Sequence, residues 1–200
     1  MSFRLIIVAV LIGSFFVPGT LAGADIQSHV IENLHTNLLA VMKKADSLGY
    51  AGRYNRLAPV ITSTFDLPYI ARIVVGRHWH NFSNDEKRIF LDTFSRLSIA
   101  TYANRFNSYS GEQFKTISTK ELRKGRTIVR SLLIKTDGDE IKLDYILHKK
   151  DNDWLVINVI AKGVSDLALK RADYTAFLKK SDLNALLDKL NEKIALYSKE

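Results

Sequence analysis

His78 and His80 flank Trp79, a spacing that can bring two imidazoles to one metal only if the segment is a strand. The segment reads instead as a helix end, and no third ligand stands at a metal-site spacing, so no metal centre is expected. His29 and His35 are too far apart on their helix to share an ion. The chain has no cysteine, which removes thiol catalysis, thiolate metal sites and disulfides. There is no G-x-S-x-G elbow, no H-E-x-x-H and no glycine-rich phosphate loop. The carboxylates do not converge either: Asp85 and Glu86 fit a helix start, and Asp137, Asp139, Asp151 and Asp153 fall in turns. Ser165 is explained by helix capping. Arg130 and Asp144 can pair across neighbouring strands, in a structural role or as part of a binding surface. The residue types point away from an enzyme and from any cofactor.

The remaining signal is apolar, and it lies in the elements. Asp25–Leu48 reads as a helix with Ile26, Val30, Leu34, Leu38, Met42 and Ala45 on one face. "GYAGRYNR" then reads as a loop, and Leu57–Thr64 as a short helix. Asp66 is an N-cap with Pro68 in the first turn of the next helix, which stops near Gly76. "SNDE" from Ser83 to Glu86 has the spacing of a capping box and opens a long helix to about Tyr109. The period then changes from 3.6 to 2. Phe114–Lys120, Thr127–Lys135, Glu140–His148 and Trp154–Ala161 read as four strands joined by short turns, an antiparallel meander. Helices follow, capped at Ser165 and at Ser181 or Asp182. The expected fold is α+β, with an antiparallel sheet of four strands or slightly more covered by N- and C-terminal helices.

Two strands differ in character. In "EIKLDYILH" Ile141, Leu143, Tyr145 and Leu147 alternate with polar residues. In "WLVINVIA" alternation is lost, which asks for apolar cover on both faces: Trp154, Val156 and Ile160 on one, Leu155, Ile157 and Val159 on the other, with Asn158 as the exception on the Trp154 side. Such a sheet face can pack a filled core or line a cavity beneath the helices, and periodicity does not separate the two.

The first residues stand apart from this domain. "MSFRLIIVAVLIGSFFVPGTLAGA" carries one charge, Arg4, and an apolar run of about 13 residues from Leu5 to Val17. That is too short for a bilayer, which takes roughly 20 helical residues. With Ala22-Gly23-Ala24 as the small-residue site, residues 1–24 are expected to be a signal peptide cleaved after Ala24, with an uncleaved anchor as the alternative. Residues 25–200 are then one exported domain. With Arg4 gone, 28 basic residues face 21 acidic ones, a net +7. Export argues against nucleic acid; an anionic membrane surface, an acidic partner or plain solubility each accounts for the charge.

Four stretches in order, "LPYIARIVVGRHW", "TYANRFNSYSG", "LDYILHKKDNDWLVINVIAKGVS" and Arg171, resemble the MlaC family of periplasmic lipid-binding proteins, also called the toluene-tolerance auxiliary family. The run "VSDLALKRADYTAFLKKSDLNALLDKL" is more similar to HpnM members, found with hopanoid-biosynthesis genes. Phospholipid-carrying members more usually have Leu where Asp166 stands and Asp where Asn158 stands. The resemblance implies a carrier whose sheet and helices enclose a deep apolar pocket for acyl chains or a polycyclic hopanoid-type lipid, shuttled between inner and outer membranes. It implies an inner-membrane ABC- or RND-type transporter, an outer-membrane partner and a monomer without a cofactor. A non-catalytic interaction subunit of a transport complex, without a lipid of its own, is the alternative. On the apolar faces the expected pocket wall is Ile70, Val74, Phe94, Leu97, Tyr102, Phe106, Leu133, Leu143, Tyr145 and Leu147, with Phe65, Trp79 and Val164 at the rim. Arg72, Arg77 and Arg105 are candidates to face a phosphate or an acidic partner.

Overall fold

The computed structural model describes residues 22–199, with side chains from residue 26. The leader up to residue 21 and its cleavage lie outside the described residues. Six helices and a five-stranded antiparallel sheet follow in the order α1 (Ala22–Met42), α2 (Ala45–Thr64), α3 (Leu67–Val75), α4 (Asn84–Arg105), β1 (Gln113–Leu122), β2 (Arg126–Ile134), β3 (Glu140–Lys150), β4 (Asp153–Ala161), β5 (Val164–Ser165), α5 (Asp166–Phe177) and α6 (Leu183–Tyr197). The strands lie in sequence order, the open meander that short turns enforce. The α+β reading holds, with the two-residue β5 added at the sheet edge. Among the described residues no helix is long and apolar enough to cross a membrane.

The caps fall where the sequence puts them. Asp66 accepts from Tyr69 N at 3.1 Å. Ser83 Oγ accepts from Glu86 N at 3.2 Å while the Glu86 carboxylate accepts from Ser83 N at 2.7 Å. Ser165 and Asp182 accept from the backbones of Ala168 and Ala185. Each satisfies an amide that the first helical turn leaves open.

Several expectations are corrected. The buried stripe of α1 is Gln27, Ile31, Leu34, His35, Leu38, Val41 and Met42; Ile26 is exposed and Val30 only half-buried, so the stripe is turned by one residue. "GYAGRYNR" is not a loop but part of α2. The helix expected to run to Leu48 turns instead at Lys43 and Lys44, between α1 and α2. Within α2 the non-helical residue is Gly49, whose φ of 58° and ψ of −178° only glycine adopts cheaply. The helix resumes with Arg53, Leu57 and Ile61 facing inward. Arg53 hides the apolar period because its guanidinium is spent on backbone: Nε donates to Ala103 O at 2.9 Å and Nη1 to Ala45 O at 3.2 Å. α4 ends at Arg105, four residues before Tyr109.

β4 departs from expectation as well. The register pairs Leu147 with Val156 but Ile146 with Asn158 and Tyr145 with Val159, so Ile157 is an extra residue, a β-bulge. The bulge flips the phase. Val156 and Val159 therefore share the face of Leu147 and Tyr145, while Asn158 and Ile160 face the other way. Val159 and Ile160 are thus on the sides opposite to those expected, and Asn158 is not on the Trp154 side. "WLVINVIA" stops alternating because it is two alternating pieces joined out of phase. The bulge is anchored from the helical layer, where Asp66 N donates to Val156 O at 3.0 Å. Arg130 stands opposite Asp144 in the register, but among the described residues the two form no ion pair.

Candidate functional site

The re-phased end of β4 bounds a cavity of about 220 Å³, open on one side. Ile157, Val159 and Ala161 form its floor. Ile61, Phe65, Leu67 and Ile70, around the α2–α3 junction, form one wall, and Phe94, Ser98, Thr101 and Tyr102 of α4 another. Val164, Leu167 and Leu169 close the β5–α5 side; Val164 and Leu169 are exposed, leaving an apolar lip at the mouth.

The wall has little spare polarity. The Ser98 and Thr101 hydroxyls donate back to Phe94 O at 2.8 Å and Leu97 O at 2.7 Å, the usual helical refuge for a hydroxyl in an apolar setting. Asn158 Oδ1 accepts from Ser165 Oγ at 3.1 Å and Leu167 N at 3.2 Å, and so ties the β5–α5 corner to the sheet. Burial, reinforced by Asp166, pushes the Tyr102 phenol up, so it stays neutral. Charge is confined to Arg105, Asp166 and Lys170, with Lys170 ion-paired to Asp166 one turn earlier on α5.

Two polar clusters hold the wall from behind. The Asp66 carboxylate, almost fully buried, lies 3.0 Å from His148 Nε2 and 3.5 Å from Lys150 Nζ, fastening the junction that carries Phe65 and Leu67 to the end of β3. Deeper in, His35 Nε2 and the Tyr145 hydroxyl share a hydrogen bond of 3.0 Å. Burial holds the His35 imidazole down to about 4 and the Tyr145 phenol well above its ordinary range. An aromatic file joins this core to the cavity: His35 stacks on Phe114 at 4.1 Å, and Phe114, Phe106, Tyr102 and Phe65 follow at 5.5–6.3 Å.

Of the residues expected at a pocket, Phe65, Ile70, Phe94, Tyr102 and Val164 line this cavity. Phe106 and Tyr145 stand one layer behind Tyr102. Val74, Leu97 and Leu147 are fully enclosed in the core, and Leu143 is half-buried against it. Leu133 is half-buried on β2, opposite Phe114 and Ile141. Trp79 lies away from the mouth, packed on Phe82 with Lys87 over its ring. Arg105 is at the mouth, Arg72 lies over Tyr69, and Arg77 is exposed elsewhere on the surface. Sequence reasoning missed Leu67, Leu167, Leu169 and the Asp166–Lys170 pair. The signal for the last was present, since Asp and Lys four apart just after a cap are placed to pair on one helix face.

The model of the family described as MlaC protein matches residues 32–192. The chain belongs to the MlaC family. A curated relative, the intermembrane phospholipid transport system binding protein MlaC of Haemophilus influenzae, is 27% identical over 142 residues, 69% of this chain; the match spans 64% of the relative's own length. The solved phospholipid-binding protein of Ralstonia solanacearum, in complex with a phospholipid, has the same fold, with a TM-score of 0.74 at 18% identity over 85% of this chain and 97% of that one.

Proposed function

We propose that this protein is a periplasmic carrier that shields the acyl chains of a phospholipid and passes the lipid between membranes. The observation that supports this best is the cavity itself, apolar along its wall and charged only at its mouth, in a fold shared with a phospholipid-binding protein. Exposing one CH₂ to water costs about 0.8 kcal/mol, so two chains with about 30 methylenes would cost roughly 25 kcal/mol to carry bare. A protein that hides them removes this barrier without chemistry. Because a bilayer hides them equally well, loading and unloading follow small differences in affinity, which docking partners can supply. Here those partners are an inner-membrane ABC- or RND-type transporter and an outer-membrane component.

The cavity is smaller than the roughly 300–1,000 Å³ of ordinary ligand pockets, so a diacyl lipid requires it to widen. The aromatic file is the direction in which it can. Parting of Tyr102 and Phe106 joins the cavity to Tyr145 and Leu143, and those expected lining residues then become its deep end. A polycyclic hopanoid-type lipid is the second reading, favoured by the C-terminal run that resembles HpnM.

Mass spectrometry of organic extracts from the chain, purified from a host with intact export, tests the proposal. A bound lipid near one per protein is expected. Leu143→Asp, exported and folded, should lose most of it. A folded, empty wild type would instead favour a ligand-free interaction subunit.

A further inference from the structure

The charges on this cavity are arranged, not scattered. Asp166 and Lys170 stand on successive turns of α5, and their ion pair lies along the rim. Only Oδ2 of Asp166 is used in that pair; among the described residues Oδ1 has no hydrogen-bond partner. Arg105, the last residue of α4, lines the same mouth, and its guanidinium makes no hydrogen bond or ion pair among the described residues. Behind these groups the wall is apolar or internally bonded. A chain-bearing molecule seated in the cavity leaves its polar end between a free guanidinium and an ion pair with one open carboxylate oxygen.

We propose that Arg105, Lys170 and Asp166 form a head-group site selective for a zwitterionic head, a phosphate linked to an ammonium group. This rests on the carrier reading and adds the class of head group to it. The phosphate bridges Arg105 and Lys170, and the ammonium that follows it donates to Asp166 Oδ1. A head with phosphate alone would leave its negative charge against Asp166 uncompensated, and an uncharged head would leave Arg105 unused. Burial and the nearby Arg105 both disfavour the Lys170 ammonium, and an incoming phosphate relieves that strain.

The test offers the full chain vesicles with equal parts phosphatidylethanolamine and phosphatidylglycerol of identical chains, and counts the lipids bound by mass spectrometry. The wild type should be enriched about threefold to fivefold in the ethanolamine lipid, the size of one partly exposed ion pair. Asp166→Asn should bring the ratio near one, and Asp166→Glu should keep it. With vesicles in which diacylglycerol competes, Arg105→Gln should lower the share of phospholipid bound. Lipid bound without enrichment, or enrichment unchanged in Asp166→Asn, overturns the head-group site and leaves the carrier standing. Absence of any bound lipid overturns both.

Discussion

His35 is an imidazole enclosed in the core, stacked on Phe114 and bonded to Tyr145, and its neutrality makes it a source of pH dependence. Its pKa falls from 6.5 to about 4 on folding, so between these values the unfolded chain binds the proton and the folded chain does not. Stability is therefore fully present above about pH 6.5 and is lost as pH falls towards 4, by roughly 3 kcal/mol at most. Urea midpoints measured from pH 7 to 4 should decline in the wild type and decline less in His35→Gln; equal slopes would remove His35 as the cause. Asn158 makes a second argument at this scale. Its Oδ1 accepts two hydrogen bonds, a task that an aspartate oxygen performs equally well. Asn158→Asp should therefore stay near wild-type stability, whereas Asn158→Leu, leaving the Leu167 amide unbonded, should cost about 1–3 kcal/mol in denaturant unfolding.

Gly49 and Ile157 show how single irregularities set the elements. At Gly49 a side chain would meet nothing within 4 Å, so Gly49→Ala isolates the backbone cost of its conformation. That cost is about 1–3 kcal/mol, a fall of roughly 2–12 °C in Tm by calorimetry. No change would mean that α2 can pass through position 49 without this kink. Both irregularities also mark where the sequence was hard to read. The caps at Asp66, Ser83 and Ser165 were legible because a short polar side chain next to a periodic run has one good use. The helix across Tyr50–Asn55 was not, because Arg53 fills a core position and is satisfied by carbonyls that only the tertiary fold brings near. The phase of β4 was not, because a bulge leaves no mark in a run where nearly every residue is apolar. The wall at Ile70, Phe94 and Tyr102 followed from helical faces, whereas Phe65, expected at the rim, belongs to the wall. The lip at Val164 and Leu169 depends on a two-residue strand paired to the end of β4 and on which way α5 leaves it, where Asn158 bonds Ser165 and Leu167.

At the scale of the molecule, one sheet carries both a packed core and a cavity, and the boundary between them is the aromatic file from Tyr102 to His35. On the core side Asp66, His35 and Tyr145 are paired and buried; on the cavity side Ser98 and Thr101 are tied into their helix and the charges are held at the mouth. A domain of the MlaC family built in this way can offer apolar volume without exposing its own core. The central claim is that acyl chains enter past Val164 and Leu169 and end against Tyr145. Photo-crosslinking with a phospholipid carrying a diazirine at the end of one acyl chain, followed by peptide mapping, tests this most directly. The account predicts labels on Phe106, Tyr145 or Leu143, moving to Phe65, Ile70 and Leu167 when the diazirine sits near the glycerol. Labels confined to the outer surface, or unchanged by the position of the probe, would contradict it.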